Sequence, residues 1–172
     1  PNQAAAKWSR GFLKGLGGVG VEIVGLTHCP EQYWPYGRMF QGVNGLFLTD
    51  YRHQAVPYPN IPFCRNPYLA WQYVRRSQQI IEKEGVDALI CYNVLDASHV
   101  KTLGVAKQMK VPCFPIVLDG PDPRKDNWKW VQEGTRDASG VIFLSDWMVK
   151  NYPGNLPVLH MDGGCSAWYG DE

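Results

Sequence analysis

Asp119 lies in Leu-Asp-Gly-Pro-Asp-Pro-Arg, directly after an apolar run. A carboxylate there could orient a hydroxyl group by hydrogen bonding, or stabilise positive charge developing at a reacting carbon. The competing reading is a loop aspartate that caps a turn, which Pro/Gly-rich loops favour. Asp122 and Arg124 share the loop and could bind the same ligand. They could equally pair with each other at the surface, which is worth little. Tyr92 and Asn93 end a second apolar run. The Asn93 amide offers donors and acceptors suited to hydroxyl groups, or it is simply a turn residue.

Other candidates are spread along the chain. Asn2 and Gln3 precede the first helical pattern, where Asn2 is also a natural helix cap. Trp34, Tyr36 and Arg38 follow a strand-like run. An aromatic face can stack on a sugar ring, and a guanidinium can meet phosphate or carboxylate. Packing of a long loop onto the domain is the stronger competitor for these three. Ser145 and the pair Gly163-Gly164 each follow apolar runs. His28, His53, His99 and His160 lack metal-ligand spacing and read as surface or hydrogen-bonded histidines. His160 draws added interest because it precedes Asp162-Gly163-Gly164. There is no G-x-S-x-G, no Walker loop, and no dinucleotide fingerprint in the right register.

The elements that must position these residues alternate. A helix carries Ala5, Trp8, Phe12 and Leu16 at helical spacing, ended by Gly17-Gly18. Val19–His28 reads as a strand covered on both faces. A stretch dense in aromatics and prolines follows, from about residue 29 to 66, with GLFLTD (45–50) as a possible strand. A second helix is expected from Asn66-Pro67 to Gly85, with Tyr73, Val74, Ile80 and Ile81 as its stripe. Then come a strand at Val86–Cys91, a helix at Ser98–Lys110, and a strand at Val111–Leu118 broken by Pro112 and Pro115. A helix after Asp126 carries Trp128, Val131, Thr135 and Ala138. Gly140–Leu144, a short helix capped by Ser145, and Pro157–His160 complete the pattern.

This alternation implies one α/β domain over 1–172, doubly wound, with a mostly parallel sheet. Ligands in such folds sit beyond the carboxyl ends of the strands. That places His28, Tyr92, Asn93, Asp119, Ser145 and Asp162-Gly163-Gly164 first among the candidates. Such a domain ordinarily opens with a central strand, whereas this sequence opens with a helix. The first strand is therefore expected outside this sequence, or from another element or chain.

The formal charge of +1 over 172 residues, without a block of like charge, gives no basis for nucleic-acid binding. No apolar run reaches the length of a bilayer span, so no transmembrane segment is expected. Five cysteines without a C-x-x-C pair imply a reducing cytoplasm and no zinc site.

Four segments in order carry a resemblance: PNQAAAKWSRGFLKGLGGVGVEIVGLT, GVDALICYNVLDASHVKTLGVAKQMKVPCFPIVLD, RDASGVIFLSDWMVK and LPVLHMDGGCSAWY. Together they resemble the N-terminal, acceptor-side domain of family 4-type retaining glycosyltransferases of the GT-B, Rossmann-like kind. Two departures stand out. The chain has Asn2-Gln3-Ala4 where the family often has a glycine pair, and Asp119 where a histidine is common. The resemblance implies a domain that binds a carbohydrate or other hydroxyl acceptor. A separate C-terminal domain would hold the nucleotide-sugar donor, with no bound cofactor or metal in this half and no activity from it alone. The alternative is a standalone, homo-oligomeric binding module of the same fold.

Overall fold

The computed structural model describes residues 3–28, 31–41, 51–92, 97–118 and 128–161. The elements in chain order are α1 (Gln3–Gly18), β1 (Val24–Thr27), β2 (Phe40–Gln41), β3 (Arg52–Ala55), β4 (Tyr58–Pro59), α2 (Arg65–Glu84), β5 (Leu89–Tyr92), α3 (Ala97–Gln108), β6 (Cys113–Val117), α4 (Lys129–Thr135), β7 (Val141–Phe143), α5 (Asp146–Asn151) and β8 (Val158–His160). The chain is α/β. Its main sheet is four-stranded and parallel, in the order β5-β6-β7-β8. β1 and β3 form a separate parallel pair, and β2 and β4 a short antiparallel one.

Strand alternation sorts the main sheet into two faces. Cys91, Cys113, Val117, Val141 and Phe143 share one face. There Cys91 and Cys113 pack with Leu103, Val105 and Ala106 of α3 and Ile81 of α2. Val117, Val141 and Phe143 pack with Trp128, with Val131 of α4, and with Met148 of α5. The other face carries Ile90, Tyr92, Phe114, Ile116, Ile142 and Leu159 in register. There the Trp8 ring of α1 lies 5.5 Å from that of Tyr92. So α1 sits opposite α2–α5.

Several boundaries differ from the sequence reading. β1 is four residues long rather than ten, and Val19 and Val21 before it are exposed. Gly17 and Gly18 form the last turn of α1 rather than its stop. α2 begins at Arg65, with Pro67 inside its first turn, where the missing N–H costs no helical hydrogen bond. Gly85 ends α2 in the left-handed conformation, φ 64° and ψ 52°, as expected of a C-terminal glycine. β5 is Leu89–Tyr92, shifted along from 86–91.

Pro115 does not break β6. Ser139 N–H donates to the Cys113 carbonyl (2.8 Å) and Leu89 N–H to that of Pro112 (2.8 Å). Backbone groups alternate sides, so the Pro115 nitrogen faces β7. The β7 register begins only at Ile116, so no ladder hydrogen bond is lost at Pro115. Asn2, Asp126 and the segment 45–50 lie outside the described residues.

Candidate functional site

Aromatic rings stand at the carboxyl ends of both β1 and β5. His28, directly after β1, shares a 2.8 Å hydrogen bond between its Nδ1 and the hydroxyl of Tyr73 on α2. The His28 ring also meets Tyr73 and Tyr58 edge-on, each 5.8 Å away. Tyr73 in turn lies 6.3 Å from His99, near the start of α3. Tyr92 ends β5 and carries Trp8 against it. Aromatic and hydrogen-bonding groups thus stand at the strand ends, an arrangement that presents both ring faces and polar groups to a ligand.

A second feature adjoins the first through Tyr58. The loop 31–41 is held by two side chains rather than by a core. Asn60, fully buried, donates from Nδ2 to the carbonyls of Gln32 and Arg38, the latter at 2.9 Å. Its backbone accepts from Trp34 N–H at 3.0 Å and donates to Met39 O at 2.6 Å. Arg65 donates to Glu31 O at 2.7 Å, and its guanidinium lies over Tyr33 (4.8 Å) and Tyr58 (5.1 Å). The turn itself is tight. A Cβ at Gly37 would lie 2.1 Å from the Gln32 carbonyl oxygen, so only glycine fits.

That rigid frame displays aromatics to solvent. Trp34 is 45% exposed, Tyr36 87% and Phe63 96%. Phe63 also sits at φ 67°, in the left-handed region that costs a side-chain-bearing residue about 1–2 kcal/mol. An open depression of about 420 Å³ borders the loop, lined by Tyr33, Pro62, Phe63, Asn66 and Pro67.

The predicted residues fare unevenly. Tyr92 is the last residue of β5, at the strand end, and lies against Trp8. Trp34 and Arg38 lie together on the pinned loop, where Arg38 N–H donates to Glu31 Oε1 (3.1 Å). Exposure of Trp34 and Tyr36 argues against simple packing of the loop onto the domain. Ser145 stands at the N-cap position of α5, but its side chain makes no capping hydrogen bond. Gln3 begins α1. Asn2, Asn93, Asp119, Asp122, Arg124, Gly163 and Gly164 lie outside the described residues.

The sequence did not single out Tyr58, Asn60 or Arg65 as site residues, and it placed Tyr73 only in the apolar stripe of α2. Tyr58 and Asn60 carry a local signal in the run Val-Pro-Tyr-Pro-Asn, but their partners are distant in sequence. Among the described residues no cluster of three His, Cys, Asp or Glu could hold a metal ion, and no helix is long and apolar enough to cross a membrane. No protein-family model matches the chain, and neither a curated protein nor a solved structure matches it significantly.

Proposed function

We propose that this chain is the acceptor-binding half of a retaining, nucleotide-sugar-dependent glycosyltransferase of the GT-B, Rossmann-like kind. The observation that carries the reading is the rigid loop of exposed aromatics beside the carboxyl end of β1. A sugar presents an apolar ring face and a rim of hydroxyls. Trp34, Tyr36 and Phe63 offer faces for the first, and Arg38 with the polar groups near β1 and β5 for the second. Stacking on a preordered loop avoids the entropy of ordering it upon binding. The order of the four resembling segments supports the enzyme class.

In this reading Asp119, two residues beyond the end of β6, orients the acceptor hydroxyl or supports the charge developing at the sugar carbon. Transfer needs a donor held across a cleft, so the chain alone is expected to transfer no sugar.

The test is a titration of the chain with simple glycosides and with nucleoside diphosphates, followed through the tryptophan indole N–H resonances. Glycosides should shift the Trp34 resonance, and Trp34→Ala should abolish the effect while leaving the far-UV circular dichroism intact. Tight nucleoside-diphosphate binding without any glycoside response would overturn the acceptor assignment. Sugar transfer by the chain alone would do the same for the half-enzyme assignment.

A further inference from the structure

The exposed rings continue beyond the loop. α2 carries Pro67, Trp71 and Arg75 at four-residue spacing, so the three follow one another along a single face. All three are exposed, and Trp71 keeps half its surface open. The Arg75 guanidinium lies 5.6 Å from the centre of the Trp71 ring, and the Tyr68 ring lies 5.6 Å from it. At its other end Pro67 borders the depression, together with Tyr33, Phe63 and Asn66. Tyr33, Phe63, Pro67, Trp71 and Arg75 therefore form one strip. Its helical part alone, from Pro67 to Arg75, runs about 12 Å.

The strip lies beside the strand ends. Glu84, the last residue of α2, reaches Arg52 at the start of β3. Tyr73, nearer the beginning of α2, meets His28 just after β1. α2 thus runs from the carboxyl side of the strands to their amino side, and the strip occupies its first half. At the depression, the Arg65 guanidinium joins Tyr33 to Tyr58, whose ring meets His28. A ligand laid along the strip has one end near the carboxyl end of β1 and the other at Arg75.

The chemistry of the strip suits a chain of sugar rings. Flat apolar faces alternate with polar groups, the Tyr33 hydroxyl, the Asn66 amide and the Arg75 guanidinium, and a hydroxyl-rimmed ring uses both kinds. Phe63 holds its ring out to solvent from a strained backbone conformation, a combination that a purely structural residue has no reason to keep. The charge has one sign. α2 carries no carboxylate before Glu82, and Arg75 has no acidic partner among the described residues. A guanidinium so placed favours a ligand that brings its own carboxylate. A protein partner would call for a broad apolar core, whereas the helical part of the strip is a single row of residues.

We infer that the acceptor is an extended acidic glycan, several sugar rings long, which stacks along Tyr33, Phe63, Pro67 and Trp71 and sets a carboxylate against Arg75. The inference rests on the acceptor-binding reading and adds to it the length and the charge of the acceptor.

The test titrates the chain with a uronate disaccharide, a uronate hexasaccharide and a neutral hexasaccharide, followed through the Trp34 and Trp71 indole resonances. The uronate hexasaccharide should shift both and bind about tenfold or more tighter than either of the others, with the advantage over the neutral chain shrinking as salt is raised. Trp71→Ala and Arg75→Gln should each weaken its binding about tenfold, toward that of the disaccharide. Both side chains are exposed, so the far-UV circular dichroism should stay intact. A Trp34 response that gains nothing from length or charge, or two variants that bind the uronate hexasaccharide as the parent chain does, overturns this inference and leaves the acceptor reading in place. No Trp34 response to any of the three sugars removes both. A proline-rich peptide that shifts Trp71 where the hexasaccharide does not also overturns the inference, and makes the strip a peptide-docking face.

Discussion

β7 is buried at each of its residues, and β1 at none. The two strands sit in regions held by different means. Around β7, Phe143 meets Trp128 and Tyr152 at 6.1 and 5.1 Å, and Trp128 stacks on Trp147 at 5.7 Å. Both faces of β7 are covered, and a slip by one residue would put Ile142 in the place of Val141 and Phe143 against Trp128, Val131 and Met148. Around β1 the apolar cluster is smaller, Leu26 with Val56, Tyr58, Leu69 and Tyr73, and polar ties add to it. Arg52 of β3 bridges Glu22 and Glu84, all substantially exposed, so the pair adds little stability. Asn60 and Arg65 hold the loop that follows β1. A packed region resists opening, whereas a hydrogen-bonded one keeps a defined shape with its surface open to a ligand.

The largest test of this contrast pairs two truncations. Phe143→Ala removes a fully buried ring and should cost about 3–5 kcal/mol in urea unfolding. Leu26→Ala removes a half-buried side chain and should cost about 1–2 kcal/mol, in keeping with its smaller buried area. Equal costs would break the comparison and mark β1 as part of the main core.

Asn60→Ala should cost about 1–3 kcal/mol, because it leaves the Gln32 and Arg38 carbonyls without their donor. Its effect should be local. Amides of residues 33–39 should exchange faster, while those of Ile116–Val117 and Ile142–Phe143 keep their rates. A uniform loss of protection would show that the loop frame and the main sheet open together.

The same contrast decided what the sequence could reveal. VDALIC, VPCFPIV and GVIFL are short continuous apolar runs between helical patterns, and they became β5, β6 and β7 within a few residues. Burial wrote itself into composition there. β3 is Arg-His-Gln-Ala, with no apolar signal, and its pairing rests on backbone hydrogen bonds to β1 that any sequence could make. Its position was missed for that reason. The rings at the strand ends were half legible: His28 and Tyr92 follow from strand-end position, but His28 and its partner Tyr73 lie 45 positions apart. Nothing short of the fold brings them together. Asn60 resembles any loop asparagine until its partners Gln32 and Arg38 are in place.

Tyr73→Phe is a gentler probe of the seam between the regions, since Tyr73 touches the end of β1 and, through His99, the start of α3. Loss of the hydroxyl should cost about 0.5–1.5 kcal/mol. The His28 ring should become mobile on its own, seen as a sharpened and shifted imidazole resonance. An unchanged His28 signal would mean that the ring stacking alone fixes it, and that the hydrogen bond contributes nothing to the shape of the strand ends.

Cysteines give the smallest effect and the most direct reading of the contrast. Cys64, before α2, is exposed, whereas Cys113 in β6 is buried. Cys64 should react with a thiol reagent in the native state, and Cys113 only at the rate of opening of the main sheet. Burial pushes the Cys113 thiol above its ordinary pKa, with Asp137 adding to the rise, while hydrogen bonds from Ser139 and the charge of Lys107 oppose it. The sign follows directly. Below the unfolded thiol's pKa both states hold the proton and stability is intact. As pH rises past it, the unfolded chain gives up the proton while the folded one keeps it, so stability falls until the folded thiol also ionises. Cys113→Ser should flatten that alkaline limb of the stability curve, measured by urea unfolding across the alkaline range. An alkaline limb unchanged by Cys113→Ser, or a Cys113 thiol that reacts as fast as Cys64, would show that the main sheet opens as readily as the exposed surface, and the contrast between the two regions would not hold.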